Sequence, residues 1–102
     1  MHSFETEFCV EPSHPALAGH FPGNPVVPGV VILGAVQSAL NEWQCNRVVV
    51  ELPSVKFVSP LLPGERLNIK LNLRDETTAG FECLADDRPV AQGKLKLQRK
   101  GE

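Results

Sequence analysis

The chain has 102 residues, 42% hydrophobic and 22% charged, which excludes a disordered chain and leaves room for a single domain over residues 1–102. Ten Lys plus Arg against twelve Asp plus Glu give a net charge of −2, too little positive field to hold a nucleic-acid backbone, so no nucleic-acid partner is expected. The opening MHSFETEFCV is acidic where a secretion signal needs a basic and then an apolar stretch, and no run approaches a membrane span. The expected protein is soluble and cytoplasmic, with no membrane partner.

Phe4, Thr6, Phe8 and Val10 alternate with Glu5, Glu7 and Cys9, the period of two that predicts a first strand. From Glu11 to Gly29 the composition changes: Pro12, Pro15, Pro22, Pro25 and Pro28 are five of the nine prolines, joined by Gly19, Gly23 and Gly29. Each proline fixes its own φ and restricts the residue before it, so a long, stiff loop is expected here. From Pro28 to about Gln44 a helix is predicted. Its first turns, through Val30, Val31, Ile32 and Leu33, are apolar nearly all round, the mark of a buried helix, and proline suits the first helical position.

Strands follow. Val48 to Val58 carries Pro53 at an expected bulge or edge, and Pro60 to Gly64 is a turn. Leu67, Ile69, Leu71 and Leu73 then alternate with Asn68, Lys70, Asn72 and Arg74. After a turn at Asp75 to Thr78 come Phe81, Cys83 and Ala85, then a turn at Asp86-Asp87 and a last strand from Val90 to Gln98. The pattern is α+β: one long apolar helix against a curved antiparallel sheet of about five strands. So short a sheet leaves an edge and part of the helix open, and dimerisation is the expected remedy. Cys9, Cys45 and Cys83 are odd in number and lack metal-ligand spacing, so buried reduced thiols and no metal site are expected.

The segment Gly19-His20-Phe21-Pro22-Gly23-Asn24-Pro25-Val26-Val27-Pro28-Gly29-Val30-Val31-Ile32-Leu33 resembles the signature of the hot-dog-fold 3-hydroxyacyl-acyl-carrier-protein dehydratases of fatty acid synthesis, the FabZ and FabA type. The stretch Lys56-Phe57-Val58-Ser59-Pro60-Leu61-Leu62-Pro63-Gly64 is similar to that family's strand and turn. The preceding Pro12-Ser13-His14-Pro15-Ala16-Leu17-Ala18 and the compact length are closer to the small dehydratases of aryl polyene and polyketide clusters. The resemblance implies a lyase that removes water from a 3-hydroxyacyl thioester carried by acyl carrier protein or coenzyme A, without a cofactor. It makes His20 the catalytic base and the Gly29 N–H an oxyanion donor.

Local chemistry agrees. A helix entered through Val27-Pro28-Gly29 has no Ser, Thr, Asp or Asn at its cap, so its first amides are free for a thioester carbonyl and the enolate that forms from it. A neutral imidazole at His20 suits removal of the proton beside that carbonyl. His14 reads as a structural or surface residue. Phe21, Val31 and Leu33 are expected to line an acyl tunnel between protomers, with Val30 and Gly34 also at the substrate.

One position departs from the family. Fourteen residues after His20, where the dehydratases carry Glu or Asp on the helix, stands Gly34. A general acid is worth roughly two to four powers of ten in rate, so its loss changes what the site can do unaided. Glu42, roughly 12 Å further along the helix, is too far to fill the same place. Glu42 and Glu51 both read as solvated surface groups, and Asn24 and Gln37 as groups that hold a water. Three readings stay open: a dehydratase, with a homodimer, a higher oligomer or a heterodimer whose acid-bearing homologue completes the site; a catalytically silent acyl-binding or assembly subunit; and a hot-dog thioesterase with Gln37 placing the water.

Overall fold

A computed structural model describes residues 3–11 and 26–101. Five strands and one helix follow each other as β1 (Ser3–Cys9), α1 (Gly29–Trp43), β2 (Arg47–Phe57), β3 (Arg66–Asp75), β4 (Thr78–Ala85) and β5 (Arg88–Arg99). Every strand lies in one antiparallel sheet of order β1-β3-β4-β5-β2, so β1 and β2 are the edges.

The alternation read from the sequence sets the two faces of this sheet. Leu67, Ile69 and Leu71 of β3, Phe81 and Cys83 of β4, and Ala91, Leu95 and Leu97 of β5 are buried, and they meet Ile32, Val36, Ala39 and Leu40 of α1. The intervening Lys70, Asn72, Glu82, Gln92, Lys94 and Lys96 face solvent. The β4–β5 connection is two residues long, and Asp86 and Asp87 take φ of 50° and 67°, the left-handed pair that a tight hairpin matching strand twist requires. Aspartate tolerates that region better than a branched residue would.

Pro53 falls where the pairing of β2 with β5 lapses, between Glu51 and Ser54, as its missing N–H and edge position demand. The bent strand passes over Gly93. A Cβ built there would run into the Ser54 carbonyl oxygen and come within 2.9 Å of the Phe81 ring, so only glycine lets the bend and the ring share the space.

The helix differs from the all-round burial its composition suggested. Ile32, Val36, Ala39 and Leu40 are buried, Val31 and Leu33 are half-buried, and Val30 is 78% exposed. The apolar circumference is wider than one sheet can cover. At its far end Leu40 is fully buried, the Gln44 N–H closes on the Leu40 carbonyl at 2.6 Å, and Trp43 stacks on Phe4 of β1 with ring centres 5.9 Å apart.

The cysteines correct the expectation of three buried thiols. Cys83 lies in the core, where burial, with a smaller push from Glu82, raises its pKa to about 12; Cys9 and Cys45 are exposed, on the outer face of β1 and in the turn after α1. Cysteine suits either setting by size and polarity, and at those two places the sheet face and the turn point outward.

Candidate active site

The start of α1 is chemically open. Pro28, at φ −60° and ψ 144°, is the cap residue and gives no side-chain hydrogen bond, and the first turn holds no acidic residue. The Val31 and Ile32 amides donate to the Pro28 carbonyl at 3.0 and 3.4 Å, while the Gly29 and Val30 amides meet no acceptor among the described residues. Two N–H groups at the positive end of the helix dipole are thus available for a developing negative charge.

Val30 borders a separate cavity, while Gly29 borders one of about 450 Å³ that it forms with Val26, Val27, Ile32, Phe57, Val58, Ser59, Pro60 and Leu61. Its walls come from the residues just before α1 and from the end of β2 with the turn that follows. The Val27 N–H donates to the Leu61 carbonyl at 2.8 Å and ties the two walls together. The Phe57 ring lies directly on Gly29, where an added Cβ would sit 2.8 Å from its tip. The absence of a side chain at residue 29 is what lets the ring approach the amide.

Gly34 is one turn further on, and beyond its chain neighbours and the helix's own backbone no atom of the described residues lies within 4 Å of the position its Cβ would occupy. It borders two cavities. One, of about 190 Å³, is apolar, with Val30, Leu33, Val49, Leu52 and Leu95, and takes Gln37 as its polar member. The other, of about 440 Å³, lies between α1 and β1 and is bordered by Thr6, Glu7, Phe8, Val31, Ala35, Ser38, Ala39, Glu42 and Ile69. Val31 and Leu33, expected to line one tunnel, therefore stand on opposite sides of the helix with Gly34 between them. Glu51 stands across from exposed Lys96 and borders neither cavity. His20, Phe21, His14 and Asn24 lie outside the described residues.

Sequence reading missed several members of this region. Phe57 and the turn at residues 58–61 were recognised as strand and turn, but their contact with Gly29, nearly thirty positions away, leaves no local signal. Glu42 reads as solvated and Glu7 only as a member of the polar face of the first strand; both are exposed, yet they edge the cleft that opens at Gly34.

A family model for ApeI-like proteins, described as ApeI dehydratase, matches residues 1–94. The chain belongs to the ApeI-like dehydratase family. This ApeI-like chain is 34% identical over 83 residues to the 3-hydroxyacyl-acyl-carrier-protein dehydratase FabZ of Ehrlichia chaffeensis, a match covering 72% of the chain and 57% of the relative. It is 33% identical over 102 residues to the FabZ of Sulfurovum sp., covering 82% and 68%. The chain thus spans less than two thirds of the length of the Ehrlichia relative. Among solved structures, the dehydratase heterocomplex ApeI:P from Xenorhabdus doucetiae superimposes with a TM-score of 0.85 at 29% identity, over 96% of this chain and 88% of that one. The Escherichia coli PaaI protein of the phenylacetic acid degradation operon shares the fold, with a TM-score of 0.76 at 19% identity over 97% and 73%. The hot-dog fold expected from the resemblance is therefore the fold of the ApeI-like chain. No helix among the described residues is long and apolar enough to cross a membrane.

Proposed function

We propose that the ApeI-like chain is the histidine-bearing subunit of a 3-hydroxyacyl-thioester dehydratase of fatty acid or polyketide metabolism in the cytoplasm, taking its substrate from acyl carrier protein or coenzyme A. The observation that carries the reading is the Gly29 amide, which meets no acceptor among the described residues and stands beside an apolar cavity. The thioester carbonyl accepts the Gly29 N–H, and His20 removes a proton from the neighbouring carbon. The electron pair runs into the carbonyl as an enolate and returns to form the double bond as the 3-hydroxyl departs. That hydroxyl needs a proton to leave as water, and Gly34 has none to give.

A related subunit supplies it. The space around Gly34 admits an incoming carboxylic acid, and Val30 of the helix start, Val50, Leu52 and Phe57 of the β2 edge, and Val58 and Leu62 just beyond it are large apolar residues left exposed. Exposed apolar residues beside an unpaired strand edge suit burial by a second hot-dog subunit. The similarity to one chain of the ApeI:P heterocomplex favours a non-identical partner over a second copy. Gln37, beside Gly34 in the smaller cavity, supports the second reading, a thioesterase in which it orients water.

The test incubates a 3-hydroxyacyl thioester with the chain alone, with the chain plus an acid-bearing homologue, and with the His20→Ala and Gly34→Glu variants, following water loss and free acid. The complex is expected to dehydrate, and His20→Ala to lower the rate by about a hundredfold or more. Gly34→Glu is expected to give the chain dehydration without the homologue. A complex as active with His20→Ala as without it would end the dehydratase reading. A chain and complex that bind the thioester but leave it unchanged would indicate a silent assembly subunit, and free acid would indicate the thioesterase.

A further inference from the structure

The turn that walls the Gly29 cavity is held by a charged clamp. Arg88, the first residue of β5, donates through Nη2 to both Glu65 carboxylate oxygens at 2.7 and 2.8 Å, and through Nη1 to Ser59 Oγ at 2.8 Å and the Pro60 carbonyl at 2.7 Å. Glu65 Oε1 also accepts the Leu62 N–H at 2.8 Å. One guanidinium and one carboxylate therefore fix both arms of the turn. Between those arms lies Leu61, 1% exposed, whose carbonyl accepts the Val27 N–H at 2.8 Å.

Only Pro28, whose ring fixes φ, separates Val27 from Gly29. The direction of the Gly29 N–H thus follows from where the Leu61 carbonyl stands, and that follows from the clamp. A pair serving surface stability alone has no need of four hydrogen bonds from one guanidinium converging on this turn, since an exposed ion pair contributes little. A planar guanidinium that holds the carboxylate through Nη2 and the turn through Nη1 adds directional constraint that a point charge lacks.

We propose that Arg88 and Glu65 are positioning residues that aim the Gly29 amide through the Leu61 to Val27 hydrogen bond. The catalytic consequence rests on the dehydratase reading above. An oxyanion donor works only when it is aimed before the charge develops, so loosening the clamp lowers turnover more than substrate affinity.

The experiment compares wild type with Arg88→Ala, Arg88→Lys and Glu65→Gln by two measurements: the ¹H–¹⁵N resonance of the Gly29 amide in the chain alone, and kcat and KM of the complex with an acid-bearing homologue. In Arg88→Ala the Gly29 resonance is expected to shift beyond the spread of remote amides, with kcat lower by about tenfold and KM nearly unchanged. Arg88→Lys, keeping the charge but not the fork, is expected to fall between. A Gly29 resonance that stays in place in variants with a lowered Tm would overturn the proposal, as would an unchanged kcat in an active complex. If the wild-type complex does not dehydrate but the Gly29 resonance moves, the clamp's role stands and the dehydratase reading falls. Should Arg88→Ala fail to fold, Arg88→Lys and Glu65→Gln give the same readouts.

Discussion

The two ends of α1 are built for opposite purposes. At the Trp43 end Leu40 is fully buried, the last amide is closed by its own helix, and an aromatic stack pins the turn to β1. At the Gly29 end Val30 is 78% exposed, two amides find no acceptor among the described residues, and the Phe57 ring leans on a residue without a side chain. Folding free energy is concentrated where the helix is satisfied, and binding capacity is kept where it is not. The open end tolerates this because the closed end and the sheet hold the helix in place, so unmade hydrogen bonds persist without unwinding the first turn.

Leu40→Ala should draw that contrast most sharply. Removing a fully buried leucine should cost about 2–5 kcal/mol, read by urea unfolding. An effect below about 1 kcal/mol would show that the closed end is not the anchor. Gly29→Ala should do the reverse. The new methyl would meet Phe57 at 2.8 Å and push that ring aside, while alanine gains about 1 kcal/mol of helix propensity over glycine, so stability should change little. Dehydration by the complex should nevertheless fall about ten- to a hundredfold, measured as kcat against unfolding midpoint. Parallel losses in both would mean the open end is also structural.

The smallest effect is on acidity. Glu65 is held below the usual carboxylate range of 4.5, first by the Leu62 N–H and then by Arg88. A carboxylate with a lowered pKa in the folded chain stabilises fully above pH 4.5, and this contribution fades as pH drops through the lowered value. Protection of the Leu62 amide, taken relative to its intrinsic exchange rate at each pH, should therefore fall in acid before protection at Leu40, where apolar packing carries the load. Equal acid sensitivity at the two amides would erase the distinction.

Regular alternation made most of this fold legible. Leu67, Ile69 and Leu71 announced their strand because each step along it changes face, and the Asp86-Asp87 pair fits only a tight turn. Pro28 marked the helix start, and the missing cap residue already implied free amides. The exposure of Val30 did not show, since a helix apolar all round gives no sign of which side lacks cover. Nor did the partnership of Arg88 with Glu65, made where the β2–β3 connection meets the β4–β5 hairpin from positions 23 apart. Gly34 was legible as a departure, but only the structure reveals the empty space on both of its sides.

Gly93 carries a consequence for ancestry. It lies inside the sheet, yet by admitting the Ser54 carbonyl it sets the bend of β2 and hence the contour of the free edge that a second subunit would meet. Where duplicated genes diverge into paired but unlike subunits, selection on which copy docks with which can then act through a half-buried residue set one strand back from the edge. A larger side chain at position 93 would redraw the edge from beneath and change the match between the copies while leaving every outward-facing residue as it was.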